Sequence, residues 1–227
     1  MEKRSGFTLS EVLITLGIIG FVAILTITTV LPYIQKKDDY TRLQKALSVI
    51  SSAVTLARND NGGDFSGLAN NHLDFANLIA PQMQAIKSCT NSTDSPNCYI
   101  KNTDNMYTLT GGFIGGITPY PYAGLPKIVT GDGFVYIFEF QDTNCSGSHY
   151  TTNGISQNCG DLMVDINGPK PPNAMGKDIF VILVNKYNTT PYVGSDYYNC
   201  DKTQTSAIWE GVTCSWRAIN EGGIYYY

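Results

Sequence analysis

One carboxylate, Glu11, stands at the edge of a long apolar segment, and its position demands a chemical explanation. The run from Val12 to Leu31 contains no charged residue and is long enough to cross a bilayer, since a span needs about 20 apolar residues. An ionisable group at membrane depth is costly to desolvate and usually serves a function. A cationic partner would offset that cost. We therefore expect Glu11 to form an ion pair rather than only to reach toward the lipid headgroups.

A second group of polar residues lies in the loop 165–178. Its oxygen-bearing side chains flank a turn rich in Gly and Pro, and they are Asp165, Asn167, Asn173 and Asp178. Calcium prefers six to eight hard oxygen ligands, some of them backbone carbonyls, but the spacing here is not that of an EF-hand. The loop is predicted either to bind calcium or to be shaped by Asx-turn hydrogen bonds without a metal. The sequence leaves both alternatives open.

No catalytic set accompanies these residues. The two histidines, His72 and His149, lie in unrelated polar contexts, and the Gly-x-Ser-x-Gly, His-Glu-x-x-His and Walker patterns do not occur. The chain is therefore predicted not to be an enzyme and to need no cofactor, the calcium alternative aside. Its formal net charge of −4 gives no general attraction to nucleic acid, and no run of Lys or Arg suggests a basic patch.

The six cysteines fall into three close pairs along the chain. An even count in a chain with an export-like N-terminal segment predicts disulfides in an oxidising compartment. Six cysteines allow 15 connectivities. We favour pairing between nearest neighbours, which gives Cys89–Cys98, Cys145–Cys159 and Cys200–Cys214. The alternative is that some of them are free buried thiols.

The element that carries Glu11 is predicted to be one long helix. Beyond the apolar run, apolar residues recur at three- and four-residue spacing, as expected for a helix with one buried face, and they are Tyr40, Leu43, Leu47, Ile50, Val54 and Ala57. The sequence Asn-Asp-Asn-Gly-Gly at 59–63 ends the pattern. The predicted divisions are a leader at 1–6, a membrane or filament-core helix at 7–32, its amphipathic continuation at 33–59 and a globular head at 60–227.

The head is predicted to be an α+β domain. A helical pattern at 72–87 is interrupted by Pro81. Strands are predicted at 127–129, 134–140, 161–166 and 178–184, with a hairpin turn at Asp132-Gly133. The stretch 109–125 is predicted to be exposed and irregular. Trp209, Trp216 and the C-terminal tyrosines are predicted to close the sheet, the alternative being a patch that binds a sugar or a surface.

The first residues of the chain resemble the leader junction of type IV pilins and type II secretion pseudopilins. The matching stretch is Gly6-Phe7-Thr8-Leu9-Ser10-Glu11-Val12-Leu13-Ile14, preceded by Lys3 and Arg4, within a resemblance that covers about residues 1–35. It implies that a prepilin peptidase cuts after Gly6 on the cytoplasmic side and methylates the new amine of Phe7. It also implies that Glu11 pairs with the Phe7 amine of a neighbouring subunit.

The physical features of this junction agree with the resemblance. Gly6 has no Cβ and lets the scissile backbone enter a tight site. Lys3 and Arg4 hold the leader in the cytoplasm by the positive-inside rule. A secretory signal peptide fits poorly, because its apolar region is only about 7–15 residues long and is followed by a small-residue cleavage site. An ordinary membrane anchor has no use for Glu11.

One residue departs from the family's pattern. Many members carry a proline inside the apolar helix, where this chain has Thr28, flanked by Thr26 and Thr29. Threonine hydroxyls that bond back to the helix bend it less than a proline does. The only proline in this part of the chain is Pro32.

The resemblance implies a structural role, in a pilus, a competence pseudopilus or a secretion pseudopilus. The implied fold is a long helix packed on a small antiparallel sheet. The expected partners are the prepilin peptidase, other pilin or pseudopilin subunits, an inner-membrane assembly platform and the membrane, with no nucleic acid favoured. The expected location is the bacterial inner membrane, with the head in the periplasm or outside. The alternative function is that of a minor pilin whose head binds a surface or ligand at a filament tip.

Overall fold

A computed structural model describes residues 6–89, 106–112, 124–147, 157–168, 170–192, 200–201, 203 and 210–227. The chain forms two compact units, one ending at Asp38 and one from Asp39 to Tyr227. Helix α1, Leu9–Asp60, contributes to both units.

In the first unit, α1 is mostly apolar, and nearly all of its residues are exposed. The helix continues through Pro32, and it is long and apolar enough to cross a membrane. The hydroxyls of Thr15, Thr26, Thr28 and Thr29 donate to carbonyls three and four residues earlier, at 2.9–3.5 Å. Each hydroxyl is thus satisfied within the helix, as an apolar environment requires. The predicted long apolar helix is confirmed.

The second unit contains a six-stranded antiparallel sheet in which each strand pairs with its neighbour in sequence. The strands are β1 (Ala85–Cys89), β2 (Lys127–Thr130), β3 (Val135–Phe140), β4 (Asn158–Asp165), β5 (Ile179–Asn185) and β6 (Thr189–Pro191). The predicted Asp-Gly turn joins β2 to β3, and Gly133 supplies the positive φ of 85° that this turn needs. The predicted α+β fold class is confirmed.

Alternation along the strands separates two buried layers, because successive side chains point to opposite faces. One layer packs against Leu43, Ala46, Ile50 and Ala53 of α1, and it contains Tyr136, Phe138, Leu162, Val164, Phe180 and Ile182. The other layer contains Val135, Ile137, Met163 and Val181, together with Met106, Met175 and Val212 from loops. The sheet is therefore covered on both faces.

The helical prediction for 72–87 is wrong beyond residue 83. Helix α2 covers His72–Ile79, and a 3₁₀ helix covers Ala80–Met83. Gln84 then adopts a left-handed backbone with φ of 51°, which ends the helical turn. The next residues form β1, because pairing with β2 satisfies their backbone groups.

Other local predictions also change. β4 begins at Asn158 rather than at 161, and neither β6 nor the C-terminal helix α3 (Cys214–Glu221) was expected. In the stretch 109–125, which was predicted to be exposed, the described residues 110–112 and 124 are exposed, whereas Leu109 and Leu125 are buried. Tyr226 is buried in the core, as the sheet-closing hypothesis requires, whereas Tyr225 is exposed. Trp209 lies outside the described residues.

Two disulfides fasten the loops of the second unit. Cys145 is bonded to Cys159, and Cys200 to Cys214. Cys89 is also disulfide-bonded. Its expected partner, Cys98, lies outside the described residues. No described cysteine is free.

Candidate functional site

The first turn of α1 is closed by a reciprocal pair of side chains. Thr8 immediately precedes the helix, and its hydroxyl oxygen accepts a hydrogen bond from the Glu11 amide at 3.3 Å. In return, the Glu11 carboxylate accepts from the Thr8 amide and hydroxyl, both at 2.8 Å. This arrangement is a capping box, which satisfies backbone donors that a helix N-terminus leaves without partners.

The capping box gives Glu11 a second role that the sequence analysis did not consider. Its carboxylate satisfies donors of its own chain, and its negative charge lies at the positive end of the helix dipole. Thr8 was not among the predicted site residues. The Thr-x-x-Glu spacing that starts at Thr8 was the available signal, because it is the signature of a capping box.

The bond between Gly6 and Phe7 lies just outside the helix. Gly6, Phe7 and Thr8 have no helical or strand structure, and Phe7 is 89% exposed. A Cβ placed on Gly6 would meet no atom within 4 Å. Packing within this chain therefore gives no reason for a glycine at this position. The Gly6–Phe7 bond lies in an exposed part of the chain that has no regular secondary structure.

In the second unit, the loop 165–178 is organised around the carboxylate of Asp178. One oxygen accepts from the Asn167 side-chain amide at 2.9 Å and from the Asn173 backbone at 2.8 Å. The other accepts from the Ala174 backbone at 2.6 Å. Asp165 accepts from the Asn167 backbone at 3.1 Å, which is the predicted Asx-turn geometry.

The chemistry of this loop bears on the calcium prediction. Burial raises the pKa of Asp178, although the hydrogen bonds from Ala174, Asn173 and Asn167 oppose that shift. A calcium ion would have to compete with three N–H donors for this carboxylate. Among the described residues of the loop, the Asn167 side-chain oxygen is buried without a hydrogen-bond partner, and this observation favours a cation. Calcium binding by Asp165, Asn167, Asn173 and Asp178 stays one of the two alternatives that the sequence leaves open.

Contacts from α1 and the C-terminal segment hold this loop in place. Arg42 donates to the Ile166 carbonyl at 3.2 Å, and the Tyr226 hydroxyl donates to the Gly176 carbonyl at 2.8 Å. A Cβ on Gly176 would lie 2.6 Å from the Cys214 sulfur. The Cys200–Cys214 disulfide is thus packed directly against the turn. These contacts hold the loop in one conformation, as expected for a structural element.

The predicted residues therefore form two separate groups. Gly6, Phe7 and Glu11 lie at the N-terminal end of the first unit, and the loop residues lie in the second. Across the described part of the chain, no three His, Cys, Asp or Glu side chains are grouped so that they could hold a metal ion. His72 takes part in a structural hydrogen bond, in which its Nδ1 accepts from the Phe140 amide at 2.9 Å.

Comparison with known proteins finds a family match for the N-terminal group of residues. No curated protein and no solved structure shows significant similarity to the chain. Residues 1–27 match the family described as prokaryotic N-terminal methylation motif, and members of that family are structural rather than catalytic. The matched residues contain Gly6, Phe7, the Thr8–Glu11 capping box and most of the apolar run. The N-terminus therefore carries the type IV pilin and pseudopilin signature of a precursor that a prepilin peptidase processes.

Proposed function

We propose that this chain is a structural subunit of a filament of the type IV pilus or type II secretion class. It is inserted in the bacterial inner membrane through the apolar part of α1, with the second unit on the outer side. A prepilin peptidase removes residues 1–6 and methylates the Phe7 amine. Processed subunits then assemble through their N-terminal helices, and the chain itself performs no catalysis.

The observation that carries this proposal is the arrangement of Gly6, Phe7 and Glu11 around the start of an apolar helix. The bond to be cut is exposed, and Gly6 has no packing role in its own chain. The carboxylate is one helical turn further on, at the edge of a segment that can cross a membrane. Cleavage would create a new amine within reach of such carboxylates on neighbouring subunits.

The Glu11 carboxylate supplies the assembly step in this proposal. In the isolated chain its partners are the Thr8 amide and hydroxyl, which are neutral. The cationic Phe7 amine of a neighbouring subunit is a stronger partner in an apolar environment, because it adds the Coulomb attraction of a full opposite charge, which is stronger at low dielectric than in water. Formation of this pair would set the axial register of each added subunit.

Determining the N-terminal residue of the mature protein and its methylation tests the proposal. We expect that co-expression with a prepilin peptidase yields a chain that begins with N-methylated Phe7, as measured by mass spectrometry of the intact protein. Gly6→Val should block this processing without affecting the fold, since nothing lies near its Cβ. Ser5→Val, in the same leader, serves as the control and should be processed. An unprocessed wild-type chain, or normal processing of Gly6→Val, would contradict the proposal.

A further inference from the structure

An open groove lies between α1 and the β1–β3 corner of the sheet, entirely within the second unit. Its volume is about 410 Å³, and its lining comes from three parts of the chain: α1, the segment that leads into β1, and the β2–β3 turn with part of β3. That volume is in the range of small-molecule sites, roughly 300–1,000 Å³. Nothing in the proposed filament role requires this groove.

Uncharged hydrogen-bonding side chains make up much of the groove. Ser48 and Ser52 lie one turn apart on α1, and Gln82 and Gln84 lie on the opposite side. None of these four side chains forms a hydrogen bond within the described residues. A glutamine offers two donors and an acceptor, and a serine hydroxyl offers both functions. The groove therefore presents several donors and acceptors for an uncharged polar ligand.

The charged residues of the lining neutralise each other. Lys45 Nζ lies 2.9 Å from Asp132 Oδ2, and Thr130 donates to the other oxygen of the carboxylate at 2.5 Å. Although partial burial raises the pKa of Asp132, the hydrogen bonds from Thr130 and Lys45 hold it below its usual value, so the carboxylate stays ionised. The pair leaves no net charge to select an anion or a cation.

Apolar atoms complete the lining. Met83 and Tyr136 are buried, and Val49 is half-buried, beneath the polar rim. A ligand suited to this lining has one apolar face and several hydroxyl groups at its edge. Sugar rings have this combination, because their C–H faces pack on apolar side chains while each hydroxyl both donates and accepts.

Gln84 adds an observation about the backbone. Its left-handed φ of 51° is uncommon for a residue with a Cβ, and a glycine would adopt it without strain. Although a glycine would suit this backbone conformation, the residue here is a glutamine, whose amide side chain lines the groove. Strain of this kind is found preferentially at functional sites.

We infer that this groove is a binding site for a small neutral sugar, such as a hexose or an N-acetylhexosamine. The groove is open to solvent, which favours weak binding. At the per-atom efficiencies usual for small ligands, we expect a Kd of about 1–10 mM for a single hexose.

Methionine methyl NMR of the full-length chain tests this inference. Met83 lines the groove, whereas Met106, Met163 and Met175 lie in the other layer of the sheet and serve as internal references. The protein is kept in dodecylphosphocholine micelles, because detergents with sugar headgroups would compete. Glucose, galactose and N-acetylglucosamine are titrated, and sodium acetate, tetramethylammonium and N-methylacetamide are the anionic, cationic and amide probes.

The expected result is a saturable shift of the Met83 methyl with at least one sugar and unchanged signals from the reference methionines. Ser52→Ala and Gln84→Gly should each weaken this binding about fivefold to tenfold, the usual consequence of losing one hydrogen bond. The glycine variant relieves the left-handed strain, so a loss of binding there is not a loss of folding. Ser51→Ala and Gln44→Ala, next to the groove residues on α1 but outside the lining, should bind as wild type.

Three outcomes would overturn the inference. The first is the absence of a Met83 shift with every sugar at concentrations about tenfold above the expected Kd. The second is an equal or larger response to one of the charged or amide probes. The third is a sugar-induced shift that persists unchanged in Ser52→Ala and Gln84→Gly.

Discussion

The capping box with Thr8 gives Glu11 a role in its own helix, beside the assembly role that we propose for it. The capping box occupies the carboxylate with local donors, which lowers the cost of holding it at the edge of an apolar segment. Because those donors are neutral, they bring no positive charge to the carboxylate, and the helix dipole supplies only a partial one. The predicted ion pair can thus replace the local bonds when a cationic partner arrives.

Removing the Thr8 hydroxyl should loosen the first turn of α1. We expect Thr8→Ala to cost about 1 kcal/mol of helix capping, which lowers hydrogen-exchange protection of the Glu11 amide about fivefold in micelles. Thr8→Ser keeps the hydroxyl and should retain protection close to wild type. Equal protection in wild type and Thr8→Ala would show that the capping box does not form.

A second residue-scale prediction concerns pH. The Phe140 amide donates to His72 Nδ1, a bond that needs the neutral ring, and burial lowers the pKa of His72 below 6.5. Stability from this group is therefore complete above about pH 6.5 and is lost as the pH falls through the lower folded-state pKa. Loss of one hydrogen bond, about 1 kcal/mol, lowers the Tm by about 2–4 °C.

The variant His72→Asn isolates this effect. Asparagine places an acceptor oxygen where His72 Nδ1 lies but does not titrate in this range. We expect the fall in Tm between pH 7 and pH 5, followed by near-ultraviolet circular dichroism, to be about 2–4 °C smaller in the variant. An identical pH dependence in the two proteins would refute the role given to His72.

At the scale of elements, the sequence correctly predicted the strands and turns that are determined by local residue pattern and turn residues. The aromatic and β-branched residues of β3 and the Asp-Gly turn before it indicated the hairpin correctly. β1 was misassigned as helix because its residues, Ala85 to Cys89, have no strand periodicity and are mostly exposed. Its strand structure comes from pairing with β2 across a long stretch of chain, which local sequence does not encode.

The loop 165–178 shows that local sequence also does not determine the contacts of a candidate site. Its oxygen-rich sequence suggested calcium, but spacing alone does not say whether carboxylates face a cation or backbone amides. The structure places three N–H donors on Asp178. Which backbone amides converge on a carboxylate depends on the turn at 173–176 and on the contacts with Tyr226 and Cys214, all of them tertiary features.

Because hydrogen bonds already satisfy Asp178, we expect the loop to be stable without calcium. The Tm should be the same in millimolar calcium as in a chelator. Asp178→Asn should lower it by about 6–12 °C, because it leaves buried amides without acceptors at a cost of about 3 kcal/mol. Asp142→Asn, at a carboxylate that also accepts backbone bonds but is more accessible, is the control and should change the Tm by less than about 3 °C.

A calcium-dependent rise in the Tm would contradict this expectation. At about 100 times its Kd a bound ion adds about 2.7 kcal/mol, or roughly 5–11 °C here. Magnesium at the same concentration controls for ionic strength. Such a rise, lost in Asp178→Asn, would establish the loop as a calcium site.

At the scale of the whole molecule, the function that we propose rests on the N-terminal segment rather than on the second unit. The sequence alone supplied that conclusion, because the chemistry of processing and assembly is carried by contiguous residues. The groove beside α1 was not predicted, since its lining comes from segments separated by up to about 90 positions along the chain. Sites built by tertiary packing are the part of this protein that required the structure.

The proposal that the charge of Glu11 drives assembly is tested most directly by Glu11→Gln. Glutamine can still complete the capping box with Thr8 but carries no charge. The wild-type and variant chains are produced in cells with a prepilin peptidase and assembly platform. The filament fraction is then sheared from the cells, and mature chains are identified by their methylated N-terminus.

We predict that Glu11→Gln is cleaved and methylated like the wild type but is absent from the sheared fraction. Incorporation of the processed variant at wild-type levels would contradict the central claim, because the ion pair between Glu11 and the Phe7 amine would then be dispensable.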